Sequence, residues 1–434
     1  MTFPGYLLFF IMLFAPSAYQ PVKAVLGVIV LEIIVIDALV HNRLAVHPIV
    51  LLWTLFMTTV GSGFIFLGLL NDAPGALRMS TVYILWPLIF TVFVAGASDE
   101  RKLRGLLVVL VAATIAIGLY GLSYILHEAG WLPGTFYIPL DLGQQIGFYQ
   151  GYIEFLLHSI SSLFFAVPFI IAALMTWPRE EAIPVSRLWL WVAFILGIIL
   201  VLLSARRALL AVVALSPLIA LFIQGFLPSS LKRVRRELGL RFLLYAGMCL
   251  ATLVIYLSII YGFSLWTLAN TFAVGWDFTG EASALARREQ FWALVKEWSE
   301  SPLFGAGHGA SAEGSIRSLE QPWAYELAYL ALLFHTGMIG FLAYTAGVAW
   351  IFWMGVKIIR LGNRLSLYML PLLVGCSCFL IGNATNPYLE KFDYIWVIFL
   401  PIAFINFWLL NGDGQSLLTL EHRYGVKIMG RSDE

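Results

Sequence analysis

Charge is what this chain has least of. Only 12% of its 434 residues are Asp, Glu, Lys or Arg, against about 25% in ordinary soluble domains. That scarcity excludes a water-soluble globular fold. The net charge of +1 gives no basis for a nucleic-acid partner. Cysteine is almost absent too. Cys249, Cys376 and Cys378 all fall inside apolar runs, which excludes a disulfide framework and any zinc-ligand spacing and leaves packing as their role. The first apolar run has no basic segment ahead of it, so it reads as a retained span and not as a cleaved leader. There is no internal repeat and no polar segment long enough for a separate soluble domain. No Asp-x-Asp lies in an external loop and no cluster of histidines is present, so neither a metal nor another cofactor is expected.

What the sequence has in abundance is hydrophobic length. Hydrophobic residues make up 61% of it, and mean hydropathy is +0.88. A membrane helix needs about 20 apolar residues. That rule predicts an all-α polytopic integral membrane protein with about twelve transmembrane helices, at 4–19, 22–40, 48–70, 79–97, 103–127, 152–176, 187–203, 207–227, 242–262, 337–356, 365–385 and 393–411. The organisation follows: helices 1–9 in 1–262, a long external helical segment at 263–336, helices 10–12 in 337–411 and a tail at 412–434. The run 323–336 is too short to cross if Gly337 begins the next helix, and it reads as a re-entrant or interfacial piece.

Alternate connections hold Arg101/Lys102/Arg104, Arg179/Arg187, Lys232/Arg233/Arg235/Arg236/Arg241 and Lys357/Arg360/Arg364. With the tail, these carry most of the basic residues, so the positive-inside rule assigns them and both termini to the cytoplasm. The basic run 232–241 is read as a topology signal. The opposite side receives the loop near 128–151, the Arg206/Arg207 junction, 263–336 and the turn 386–392.

Against that bias, the external side holds Arg206, Arg207, Arg287 and Arg288. Arginine near membrane depth either snorkels to the interface or faces a cavity or partner. Arg288, Trp292, Val295 and Ser299 share one helical face, and Arg287, Phe291, Leu294 and Trp298 a neighbouring one. Apolar residues on these faces can rest on the membrane domain while a guanidinium points inward. The alternative is a solvated helix with Arg287 or Arg288 paired to Glu289 or Glu281. Several guanidiniums at one membrane surface suit a diphosphate, which accepts forked hydrogen bonds. Polyprenyl diphosphates, the lipid carriers of bacterial envelope glycans, combine that group with a tail suited to apolar spans. The following stretch, SPLFGAGHGA, is read chiefly as a structural turn. Its glycines (Gly305, Gly307, Gly309) could also expose amides to an anion, and His308 is expected to be exposed.

These residues carry a resemblance to the O-antigen ligase/polymerase superfamily. The family's Ser-x-Arg turn before Ala-Leu-Leu is similar to SARRALL, with Arg206 at the arginine position and Leu210 closing an Arg-x-x-x-Leu. Its Arg-x-x-x-Trp helix leading to Pro-Leu-x-Gly-x-Gly resembles Arg288 to Trp292 followed by PLFGAG at 302–307. Its Tyr-Leu-x-x-Leu segment ending in Gly-x-x-Gly resembles AYLALLFHTGMIG at 328–340. The match covers about 190–345 and is general elsewhere. The chain departs from the family at the histidine that stands about a turn before Tyr-Leu. Here the sequence reads WAYELAYL, with Tyr325 or Glu326 near that position and His335 further on.

The resemblance implies metal-independent, inverting transfer of an undecaprenyl-diphosphate-linked glycan to an acceptor hydroxyl at the periplasmic face of the inner membrane. Arg206 and Arg288 would hold the diphosphate, with Arg207 and Arg287 as second choices. Glu326 or His335 would serve as base, unless Glu326 is instead paired with an arginine or His335 is a packing residue. The acceptor is lipid A-core in a ligase or a second lipid-linked glycan in a polymerase. The missing histidine leans toward a polymerase or a divergent ligase. The Arg-x-x-x-Leu turn ranks a ligase narrowly first. A lipid-linked glycan transporter is a more distant alternative, since neither pseudo-repeats nor broken helices in matching halves are seen.

Overall fold

The computed structural model describes residues 3–411, except 43, 150–151, 178–182, 205, 230–236, 238, 241–243, 245–246, 248–281 and 315–319. The chain is a helical membrane protein. Its helices are α1 (Phe3–Phe14), α2 (Gln20–Val40), α3 (Pro48–Leu70), α4 (Ala76–Gly96), α5 (Glu100–Glu128), α6 (Leu163–Thr176), α7 (Arg187–Leu203), α8 (Arg207–Gln224), α9 (Ala282–Glu300), α10 (Ala328–Arg360), α11 (Arg364–Asn383) and α12 (Trp396–Leu410). Among the described residues, seven helices are long and apolar enough to cross a membrane: α3, α4, α5, α6 with the turn before it, α8, α10 and α11. Three shorter apolar helices, α1, α7 and α12, pack among them. The predicted span 242–262 and Cys249 lie outside the described residues, apart from isolated positions, as do Arg179, Glu281 and most of the basic run 232–241.

The centre of the bundle is α6. Its sequence, LFFAVPFIIAALMT, is apolar on every side, and every residue of it is buried. A helix with no polar face has no side to give to water. α11 lies against it and is itself largely buried. Close approach is permitted by two glycines of α11: a Cβ on Gly375 would meet the Phe165 carbonyl oxygen at 2.9 Å, and one on Gly382 would overlap the Phe164 ring. Small residues at helix crossings serve this purpose in membranes. The outer helices expose large apolar side chains such as Leu52, Phe66 and Phe222.

Two predicted boundaries need correction. The span expected to begin at 152 starts later, because 152–156 is a strand. Gln145–Tyr149 (β1) and Tyr152–Leu156 (β2) form an antiparallel hairpin, followed by a 3-10 turn at His158–Ser162. The Tyr- and Phe-rich segment suits a pleated surface as well as a helix. Residues 15–19 also fall outside α1.

Among the described residues, the connections sort into two sets, one at each end of the bundle. At one end, Asp393 accepts from the Ser17 and Lys23 nitrogens, Tyr19 Oη accepts from Asp141 N–H, Asn71 donates to Ala306, and Arg206 bonds Tyr388. At the other, Tyr6 donates to Lys102, His47 N–H to Asn406, Arg187 to Trp177, and Arg364 lies 3.7 Å from Glu100. Arg101, Arg104, Lys357 and Arg360 belong to the second end, and α9 to the first.

Candidate functional site

The site is built at the first end, by α9, the loop after it and the turn between α11 and α12. α9 docks through Arg287, Gln290, Leu294 and Trp298. Leu294 and Gln290 are buried, and Trp298 packs on the small cluster around Tyr325 and Phe334. Gln290 Oε1 accepts from the backbone N–H groups of Glu326 (2.8 Å) and Leu327 (3.0 Å), so a side chain of α9 satisfies amides at the start of α10. Beside it, Arg287 Nε donates to Glu326 Oε2 at 2.6 Å. Arg287 is therefore the guanidinium that turns inward. Arg288 is on the exposed face with Trp292 and, among the described residues, forms no hydrogen bond or ion pair. Phe291, placed by spacing on the packed face, is exposed as well.

The glycine-rich loop is knitted into the helices. α10 breaks at Gly337 (φ 58°, ψ −169°). The break releases carbonyls on one side and amides on the other. The loop takes up both sets. Ala306 and Gly307 donate to the carbonyls of Phe334 and His335, while Met338 and Ile339 donate to those of Pro302 and Leu303. His308 N–H reaches the Phe64 carbonyl, and Gly75 N–H reaches that of Gly309. The amides of Gly305, Ala306, Gly307, His308 and Ala310 are thus spent on protein acceptors, which leaves them nothing to offer an anion. Positive φ at Gly305, Gly307 and Gly309 makes this path possible.

His308 is fully buried and not exposed as expected. Its ring stacks on Tyr83 at 3.9 Å, and its Nε2 lies 3.0 Å from Tyr344 Oη. Burial, with His335 nearby, holds its pKa well below the ordinary 6.5. His335 is buried too, with Nε2 3.0 Å from the Ala310 carbonyl oxygen. A carbonyl only accepts, so that nitrogen carries the proton.

Arg206 is the residue before α8 and is half-buried, as is Arg207. Arg206 Nη1 donates to Tyr388 Oη at 3.3 Å. Among the described residues no carboxylate pairs with Arg206. His158 lies within electrostatic reach of Arg206, Lys391 and Asp141. Tyr388 opens a 3-10 turn, Tyr388–Glu390, whose position is fixed from several sides. Asn383 Oδ1 accepts from Leu389 N–H, Tyr394 Oη meets Ser161 Oγ at 2.5 Å, and Asp393 is held by Ser17, Gln20 and Lys23. Glu390 ends the turn. It keeps some accessible surface, yet its desolvating surroundings push its pKa up to about 8, with Lys391 opposing the shift. Tyr83 and Tyr325 are within its electrostatic reach.

The structure thus joins Arg287 to Glu326, places Arg206 beside the α11–α12 turn, and leaves Arg206 and Arg288 without a common partner. His158, Tyr388, Glu390 and Lys391 were not singled out by the sequence. The available signal was Glu390, Lys391 and Asp393 packed into a short connection between two apolar helices. No grouping of three or more His, Cys, Asp or Glu side chains suited to a metal occurs among the described residues. No family model matches this chain, and no curated protein does either.

Proposed function

We propose that the protein is a membrane glycosyltransferase of the O-antigen ligase/polymerase type. It moves a glycan from undecaprenyl diphosphate to an acceptor hydroxyl on lipid A-core, as in lipopolysaccharide biosynthesis. The reaction takes place on the periplasmic side of a bacterial inner membrane. Twelve spans complete this reading, with the basic second end facing the cytoplasm.

The observation that carries the reading is Arg206, a half-buried guanidinium at the first end whose only side-chain partner among the described residues is a tyrosine hydroxyl. A charge so placed is compensated by an anionic ligand. Lys391 acts with Arg206 on His158, so the positive field comes from Arg206 and Lys391. A diphosphate is a doubly anionic group with oxygens spaced for guanidinium forks.

In the proposed step, the acceptor oxygen attacks the anomeric carbon from the face opposite the leaving group, which inverts that centre. The bond from that carbon to the phosphate oxygen breaks, and the diphosphate departs with the electron pair. Arg206, aided by Arg288 from the exposed face of α9, stabilises the charge that develops there. A base takes the acceptor proton; the chain departs from the family at this position, and Glu326 and His335 are the candidates its sequence presents. Arg207 and Arg287 are the reserve phosphate ligands.

The test is incubation of the purified protein with lipid-linked glycan and lipid A-core. Product on lipid A-core indicates a ligase, lengthened glycan on the carrier a polymerase, and translocation across vesicles without product a transporter. Arg206→Ala is expected to reduce transfer at least about 100-fold with folding intact. Near-normal transfer by that variant would count against the assignment.

A further inference from the structure

Among the carboxylate and imidazole groups at the first end, Glu326, His335 and Glu390 differ in what they are free to do. Glu326 is committed to Arg287 at 2.6 Å. His335 is sealed in, with its Nε2 proton directed at a backbone carbonyl. Glu390 differs from both. Its carboxylate has no hydrogen bond or ion pair among the described residues, and the residue keeps part of its surface accessible. It also sits two residues from Tyr388, the partner of Arg206, within one 3-10 turn.

From this placement we propose that Glu390 is the general base of the transfer, taking the proton from the acceptor hydroxyl while Arg206 holds the departing diphosphate. The assignment rests on the glycosyl-transfer reading above. Proton balance is simple. The acceptor O–H gives its proton to Glu390 as the new bond to the anomeric carbon forms, the diphosphate leaves as an anion, and Glu390 later releases the proton to water.

The surroundings suit that role. Lys391 follows Glu390 in the chain, and Tyr83 of α4 and Tyr325 of the segment before α10 lie within its electrostatic reach. Of these, Lys391 favours the anion. Burial raises the affinity of Glu390 for a proton, with a pKa of about 8, well above an ordinary carboxylate. A base so tuned accepts a proton near neutral pH far more readily than an exposed glutamate. The contacts made by Asn383, Ser161 and Asp393 anchor the backbone of the turn that carries Glu390.

The experiment compares wild type, Glu390→Gln, Glu390→Asp and Arg206→Ala in nanodiscs, with undecaprenyl-diphosphate-linked glycan as donor. Glu390→Gln is expected to bind donor normally and to lose about 10²–10⁴-fold in turnover, with partial recovery in Glu390→Asp. Arg206→Ala is expected to lose donor binding. Wild-type turnover should rise with pH and level off above about 8, a profile the glutamine variant should not show. Infrared difference spectra should reveal a protonated carboxyl at neutral pH that is absent in Glu390→Gln, a readout independent of turnover. Wild-type turnover by Glu390→Gln would overturn the assignment and leave the transfer reading standing. Wild-type protein that transfers nothing would overturn the transfer reading, and the base assignment with it.

Discussion

At the scale of single residues, two desolvated titratable groups give stability opposite dependences on pH. Glu390 has a folded pKa of about 8 against an ordinary 4.5. Between these values the folded state keeps a proton that the unfolded state has released. Stability is therefore highest below about 4.5 and falls as pH rises through this window toward 8. Thermal unfolding of Glu390→Gln should occur a few degrees higher than that of wild type at pH 8, with no difference near pH 4.5. His308 has the reverse sign. Its folded pKa lies well below 6.5, so the unfolded state takes up protons first and stability falls as pH drops below 6.5. His308→Gln should flatten that acid limb in a scan from pH 7 to pH 5. Residue identity alone did not reveal the burial of His308, because a histidine among glycines reads as a loop tip. What buries it is the carbonyl of Phe64 and the rings of Tyr83 and Tyr344, contributed by α3, α4 and α10. Likewise, spacing gave two faces of α9 but not which one docks. That choice is made by Gln290 and Leu294, and it turns Arg287 inward and Arg288 outward.

At the scale of elements, the decisive feature is the exchange of hydrogen bonds between the broken helix α10 and the loop 302–309. The sequence marked both partners, one as a glycine-rich turn and the other as a helix boundary at Gly337. It could not show that they pair, since they lie about thirty residues apart and the pairing is entirely backbone. The exchange demands close approach. A Cβ on Gly307, at φ +91°, would overlap the backbone of Gly68, and one on Gly305 would lie 2.5 Å from the Gly337 nitrogen. Gly307→Ala is therefore expected to cost on the order of 2–4 kcal/mol, measurable as a lower denaturation midpoint in detergent. Gly314→Ala also places a Cβ at positive φ (+84°), but in open space, and should cost less. The β-hairpin before α6 was not foreseen because an apolar aromatic run of that length fits either period.

At the scale of the whole molecule, the apolar pattern located most helices, because length and hydropathy are properties of contiguous sequence. The sorting of connections into two ends is a property of the assembled bundle, and it can be tested directly. With the positive-inside assignment, a cysteine replacing exposed Trp131 should react with an impermeant maleimide added to intact cells. One replacing Arg101 should react only after permeabilisation. The reverse pattern would invert the protein and place Arg206 and Glu390 on the cytoplasmic side, where no periplasmic acceptor could reach them.

The buried pair of Lys23 and Asp393, 2.5 Å apart and both almost without exposure, carries a consequence for biogenesis. The ribosome makes Lys23 early and its counter-ion 370 residues later. Throughout that interval the ammonium has to remain in contact with water or phospholipid headgroups, so the first helical hairpin cannot settle until the last membrane segment is delivered. A nascent chain stalled before residue 393 should therefore present an unlocked amino-terminal hairpin to quality-control proteases. Arrival of the segment that carries Asp393 would serve as the signal that closes it.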